Sequence, residues 1–132
     1  MKLIFIIISL NTGGAQSALI RILKNINRNK FQVTVISLTH KGELGDTIIK
    51  LGFPLFTLGM KKNLSIVLSV IKLIKLIKKL KPDIIHTWMY HSNVIGGFFA
   101  KLNGVKKIIW NVRHGNYKLG STKIATIFFI FL

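Results

Sequence analysis

Cysteine is absent from the 132 residues. Disulfides, thiolate metal sites and cysteine nucleophiles are therefore excluded, and any chemistry must come from other side chains. Carboxylates are almost as scarce, with 3 Asp and Glu against 20 Lys and Arg and a formal charge of +17. Such a surface attracts polyanions, whether nucleic acid, anionic lipid or a phosphorylated substrate, and the attraction weakens with salt. Arginine is scarce too: Arg21, Arg28 and Arg113 are the only ones, the other cations being lysines. Specific base or phosphate forks favour Arg, so a diffuse basic face is the more natural reading and nucleic acid is not the expected partner. Long apolar runs are also missing. Leu3–Ile8 is about six residues and leads into Asn11-Thr12-Gly13-Gly14 instead of a small-residue cleavage site, which reads as a buried strand and not as a leader. The apolar end, Ile124–Leu132, falls short of the about 20 residues that a membrane-spanning helix needs, and reads as the start of a core helix, a membrane span cut short being the alternative.

What is present is one domain's worth of chain with 50% hydrophobic residues, arranged as strands alternating with helices. Leu3–Ile8 has the unbroken apolar character of a parallel strand covered on both faces. A glycine turn follows, and then Ala15–Asn29, in which Ala18, Leu19, Ile22, Leu23 and Ile26 recur at helical spacing. Phe31, Val33, Val35 and Ile36 signal a second strand. Glu43–Leu51 reads as a short helix closed by Gly52, and Pro54–Leu58 as a third strand whose proline is tolerable at the first position.

Leu64–Leu80 is the longest periodic stretch, a helix of roughly 25 Å. Val67, Val70, Ile71, Ile74, Ile77 and Leu80 make its apolar set and Lys72, Lys75, Lys78 and Lys79 its basic side. With the apolar side used against the sheet, such a helix attracts an anionic lipid surface electrostatically but does not insert; simple solvation of the lysines is the alternative. The helix ends at Lys81-Pro82. Asp83–His86 begins a fourth strand running into Thr87-Trp88. His91–Leu102 is a helix holding the small pair Gly96-Gly97, capped by Asn103-Gly104, and Lys107–Val112 is a fifth strand. Thr122–Leu132 starts a last helix. This order predicts an α/β fold, a Rossmann-like parallel sheet with flanking helices.

Three segments carry candidate chemistry. The loop Asn11-Thr12-Gly13-Gly14-Ala15-Gln16 joins the first strand to the first helix, where an open α/β sheet has its ligand crevice. Its glycines let the backbone approach a bound group, and the helix start directs N–H donors at an anion; a plain tight turn is the other reading. No Gly-x-Gly-x-x-Gly is present and no carboxylate stands where a ribose would need one, which disfavours NAD. His86, Trp88, His91 and Asn93 cluster around the end of the fourth strand. The histidines lack a third partner for a metal, and Trp88 and Tyr90 serve equally as packing or as the wall of a sugar pocket. Arg113-His114-Gly115 follows the fifth strand, where an imidazole can transfer a proton or donate to a developing charge and Arg113 can grip a phosphate; a structural histidine in a polar turn is the alternative.

Leu10-Asn11-Thr12-Gly13-Gly14-Ala15-Gln16, Pro82-Asp83-Ile84-Ile85-His86-Thr87-Trp88, His91-Ser92-Asn93-Val94-Ile95-Gly96-Gly97 and Ile109-Trp110-Asn111-Val112-Arg113-His114-Gly115, taken in order, resemble the N-terminal domain of the retaining glycosyltransferases of family 4, which have the GT-B fold. The resemblance implies two Rossmann-like domains around a deep cleft, residues 1–132 being the acceptor-side domain, incomplete at its C-terminus. It implies that Gly13 and Gly14 approach the phosphates of a nucleotide-sugar donor, with Gln16 and Arg113 beside them, and that His114 contacts the donor sugar and stabilises the reacting centre. His86, Trp88, His91 and Asn93 then fall to the acceptor side or the cleft. Hexosyl transfer without metal or other cofactor, with retention, to a polysaccharide or lipid-linked acceptor of the cell envelope is the implied reaction. Its implied place is cytoplasmic, peripheral on the inner membrane face.

The resemblance also exposes two departures. The donor-binding domain, with its Glu-x7-Glu motif, is not in the sequence, so the chain alone is expected to be inactive. Gln16 stands where many relatives have Glu. The rival readings are a basic α/β module for anionic membrane or nucleic acid, and another nucleotide-using α/β enzyme such as an epimerase or kinase.

Overall fold

The computed structural model describes residues 1–61, 65–88 and 90–111. Five strands alternate with four helices: β1 (Lys2–Ile7), α1 (Gly14–Asn25), β2 (Gln32–Ser37), α2 (Gly45–Lys50), β3 (Leu55–Thr57), α3 (Ser65–Leu80), β4 (Ile84–Trp88), α4 (Tyr90–Leu102) and β5 (Lys107–Asn111). The strands form one sheet in the order β3-β2-β1-β4-β5, and every pairing is parallel. The α/β class and the parallel sheet expected from the sequence are those observed.

β1 is central, which explains its unbroken apolar run: both faces of the strand are covered. Leu3, Phe5 and Ile7 join Leu19 and Leu23 of α1 and Ile48 of α2 on one side of the sheet. Ile4 and Ile6 join Leu73 and Ile77 of α3 and Ala100 of α4 on the other. The glycine pair of α4 brings that helix against the sheet. A Cβ on Gly96 would lie 2.9 Å from Thr87 Cγ2, and one on Gly97 would lie 2.6 Å from Trp110 Nε1, so neither position has room for alanine without a shift.

Local chemistry sets the helix ends. α1 stops at Asn25 instead of continuing to Asn29, because Ile26 turns extended and the Asn27 carbonyl accepts from the N–H groups of Lys30 and Phe31. Gly52 and Gly104 have φ of 89° and 75° after α2 and α4, as their placement predicts. Lys81 adopts φ 47° after α3, with its N–H donating to the Ile77 carbonyl at 2.9 Å. This left-handed turn before Pro82 does the work of a glycine with a residue that resists it.

Two helical faces differ from the expected ones. On α1, Ile22 is exposed and Ile20 is buried. On α3 the buried stripe is Ser69, Leu73 and Ile77, while Val67 and Ile71, expected in the core, face solvent. Ser69 is kept inside by its hydroxyl, which donates to the Leu58 carbonyl at 3.1 Å. A periodicity count that rewards only apolar residues rotates the helix away from such a position.

The amino edge of the sheet is pinned by hydrogen bonds. Lys2 N–H donates to Asp83 Oδ2 at 2.8 Å and Asp83 N–H to the Lys2 carbonyl at 2.9 Å, joining the starts of β1 and β4. Lys2 Nζ donates to the Leu80 carbonyl at the end of α3, and the Met1 ammonium to the Lys30 carbonyl at 2.8 Å.

Candidate functional site

The sheet order reverses direction at β1: the chain runs outward from β1 to β2 and β3, then crosses back to β4 on the other side. In open parallel sheets the crevice at such a switch point, outside the carboxyl ends of the strands, is where ligands bind. Here it lies between the loop after β1 and the loop after β4. Register fixes the alignment, since Ile7 pairs with Trp88 and Trp88 with Asn111. The glycine loop, the end of β4 and the end of β5 therefore share one edge.

Gly13 is the N-cap of α1, so no side-chain oxygen caps the helix, and no acidic residue sits in its first turn. A Cβ on Gly14 would meet nothing within 4 Å, leaving its backbone open to approach. Both features suit an anion at the helix start. Gln16 lies differently. Only 6% exposed, it tucks beneath the loop, where its Nε2 donates to the Ser9 carbonyl at 3.2 Å and its Oε1 would lie 2.5 Å from a Cβ on Gly13. The side chain supports the loop from below; a carboxylate in its place would have no hydrogen to offer Ser9.

On β4, His86 lies two residues before the strand's end, half-buried on the sheet face between Phe5 and Trp88, with ring centroids 5.3 Å from each. Burial lowers its pKa to about 4, so the ring is neutral at pH 7. Trp88 is 1% exposed and is a packing residue of the core beneath the edge. His91 and Asn93 fall in the first turn of α4, directly after the β4 loop. Arg113 and His114 lie outside the described residues; β5, which leads to them, ends at Asn111 beside Trp88.

The structure adds a group that sequence reasoning missed: the loop after β2, which folds over the glycine loop. Thr12 Oγ1 donates to Glu43, His40 Nε2 pairs with Asn11 Oδ1 at 3.2 Å, and Leu44 N–H donates to the Leu10 carbonyl at 2.9 Å. Gly42, at φ 61°, makes this fit possible, because a Cβ there would lie 2.4 Å from the Leu10 carbonyl carbon and 2.6 Å from Asn11 N. The available signal was topological and partial: in a parallel sheet every loop that leaves a strand emerges on the same edge, so His40-Lys41-Gly42-Glu43 shares the edge of Thr12-Gly13-Gly14, and the β2-β1 pairing makes the two loops neighbours. Among the described residues no group of three or more His, Cys, Asp or Glu is placed to hold a metal.

The sequence from residue 12 to residue 128 matches the family model of Glycosyltransferase Family 4. The chain belongs to this family. No curated protein matches the sequence. Solved structures give the same architecture: MurG of Acinetobacter baumannii superposes with a TM-score of 0.65 at 18% identity, over 83% of this chain and 35% of that one. A UDP-GlcNAc 2-epimerase from Neisseria meningitidis, bound to UDP-GlcNAc, gives 0.59 at 16% identity over 81% and 30%. The UDP-GlcNAc 2-epimerase of Methanocaldococcus jannaschii gives 0.54 at 19% over 81% and 30%. At these identities the likeness is one of fold, that of a Rossmann-like domain of the GT-B type. The family 4 chain described here spans about a third of the length of each.

Proposed function

We propose that residues 1–132 form the acceptor-side domain of a retaining glycosyltransferase that moves a hexosyl group from a nucleotide-sugar to a polysaccharide or lipid-linked acceptor. One observation carries the reading: in a family 4 chain, the glycine loop and the ends of β4 and β5 converge on one edge at the sheet's switch point. The backbone at Gly13 and Gly14, with the uncapped start of α1, would receive the donor's phosphates. Arg113, two residues beyond the end of β5, would add charge to that contact. His114 would stand against the donor sugar and stabilise the charge that develops there as the bond to the leaving phosphate breaks.

His91 and Asn93, at the start of α4, would border the acceptor, with His86 deeper on the sheet face. Gln16 would act indirectly, by holding the loop that meets the phosphates. The second GT-B domain would bind most of the donor and close the cleft, so transfer requires a longer polypeptide than this one. The place of work would be the cytoplasmic side of an anionic membrane, approached through Lys72, Lys75, Lys78 and Lys79, all of which are exposed.

The test is sugar transfer by a polypeptide carrying both domains, assayed against nucleotide-sugars and a lipid-linked or polysaccharide acceptor. Transfer should occur there and not with the 132-residue chain alone, and His114→Ala should lower turnover by about tenfold or more. Unchanged turnover in that variant would remove the role of His114. The fold likeness to two UDP-GlcNAc 2-epimerases favours a second reading, in which the same edge serves epimerisation. Incubation with a nucleotide-sugar and no acceptor separates the two, since only an epimerase converts it to its epimer.

A further inference from the structure

Charge is polarised along the strands of this domain. Of the 3 Asp and Glu, Glu43 and Asp46 stand at the crevice end, around the start of α2. The opposite, amino edge gathers Lys2, Lys78, Lys81, Lys101, Lys106 and Lys107 from the starts of β1 and β5 and the ends of α3 and α4. Asp83, at the same edge, is engaged by the Lys2 N–H. A groove of about 310 Å³ opens there between the end of α3 and the turn from α4 to β5. Ile77, Pro82 and Val105, buried or half-buried, form its floor, while Lys78, Lys81 and Gly104 are exposed at its rim beside Asn103.

Two features suit this groove to an anion. Lys81 is the one non-glycine residue with positive φ among the described residues, at 47°, whereas glycines take that conformation after α2 and α4. A lysine kept where glycine would relieve the backbone points to a use for its side chain. The second feature is that the helix ends, whose carbonyls ordinarily repel anions, are largely satisfied. The Ile77 carbonyl accepts from Lys81 N–H at 2.9 Å and the Leu80 carbonyl from Lys2 Nζ at 3.3 Å. The Ala100 and Lys101 carbonyls accept from the N–H groups of Val105 and Gly104, each at 3.1 Å. A Cβ on Gly104 would meet nothing within 4 Å, so the wall across from the lysines is open.

We propose that this groove binds a soluble organic phosphate of nucleotide size, its phosphate held by Lys78 and Lys81 and its ring body laid on Ile77, Pro82 and Val105. The volume lies at the small end of sites that enclose small molecules, roughly 300–1,000 Å³, and admits one nucleotide. A cationic rim alone would serve any phosphate, whereas the apolar floor selects one joined to an apolar body. The polarity of the domain directs such anions to this end. Lying at the edge remote from the glycine turn, the groove is independent of the sugar-transfer reading.

The test is titration of AMP into the isotope-labelled chain, followed by amide shifts in NMR. Lys81, Gly104 and Val105 should move together and saturate. Lys81→Asn removes the charge with a residue that tolerates the left-handed turn, and should weaken binding about tenfold or more; Lys81→Arg should restore it. Lys81→Gly relieves the backbone yet should lose binding as Lys81→Asn does, which separates that loss from unfolding. Adenosine and pyrophosphate each carry half of the recognised chemistry and should bind about tenfold or more weakly than AMP.

Shifts confined to Gly13 and Gly14, equal binding of adenosine or pyrophosphate, or undiminished binding by Lys81→Asn would each overturn the proposal. These readouts need neither acceptor nor second domain. Failure of sugar transfer in the longer protein would leave them standing, and an empty groove would leave sugar transfer untouched.

Discussion

Gly42→Ala tests whether the clasp of the β2–α2 loop over the glycine loop is as tight as the backbone indicates. Any L-residue at φ 61° carries a strain of about 1–2 kcal/mol. The added Cβ would also lie 2.4 Å from the Leu10 carbonyl carbon, and backbone cannot rotate out of the way as a side chain can. Relief requires the two loops to part, which sacrifices the Leu44 N–H bond to the Leu10 carbonyl and about another 1 kcal/mol. The total is about 2–3 kcal/mol, a large part of the roughly 5–15 kcal/mol that stabilises a domain. Gly104→Ala is the matched control: its φ is 75°, but a Cβ there meets nothing within 4 Å, so it bears the strain alone. Urea unfolding followed by circular dichroism should show a midpoint loss for Gly42→Ala about twice that for Gly104→Ala, with equal slopes. Equal losses would refute the claim that the two loops are in contact at this point.

Three further outcomes are expected. Gln16→Glu should destabilise the chain by about 1–3 kcal/mol at pH 7, because the new carboxylate faces the Ser9 carbonyl without a proton to donate, and the deficit relative to the parent should shrink near pH 4. His86, with a folded pKa lowered to about 4 from an ordinary 6.5, binds fewer protons folded than unfolded, so its contribution is full above pH 6.5 and lost as the pH falls toward 4. After allowance for the water that reaches the half-buried ring, the loss is about 1–2 kcal/mol, and His86→Phe should abolish that part of the pH dependence measured by urea midpoints. Lys81→Gly should raise the thermal midpoint, adding about 1 kcal/mol by relieving the left-handed turn after α3; an unchanged or lower midpoint would show that Lys81 is not strained.

Much of this was legible before the structure, and for identifiable reasons. Leu3–Ile8 announced a strand covered on both faces, and Gly52 and Gly104 marked helix ends whose φ only glycine takes easily. Segments bounded by such residues are specified locally. The buried face of α3 was not, because Ser69 is held inside by a bond to Leu58, a partner eleven residues away that the helix's own pattern does not mention. The orientation of Gln16 was hidden in the same way: the family resemblance put it beside a ligand, while the Ser9 carbonyl that receives its hydrogen is visible only once the loop has closed. Strand order, and with it the meeting of the Thr12 and Glu43 loops, depends on which strands neighbour β1, and alternation of strands and helices leaves that open.

The reciprocal bonds between Lys2 and Asp83 have a consequence for how the domain can diversify. They set the sliding position of the two central strands from the end of the sheet remote from the crevice. Loops at the opposite end can therefore be lengthened, shortened or exchanged while the strands beneath them stay in step. An Asp83 variant would transmit its damage the full length of β4 and misalign the glycine turn with its opposite wall, although that carboxylate stands at the other end of the strand.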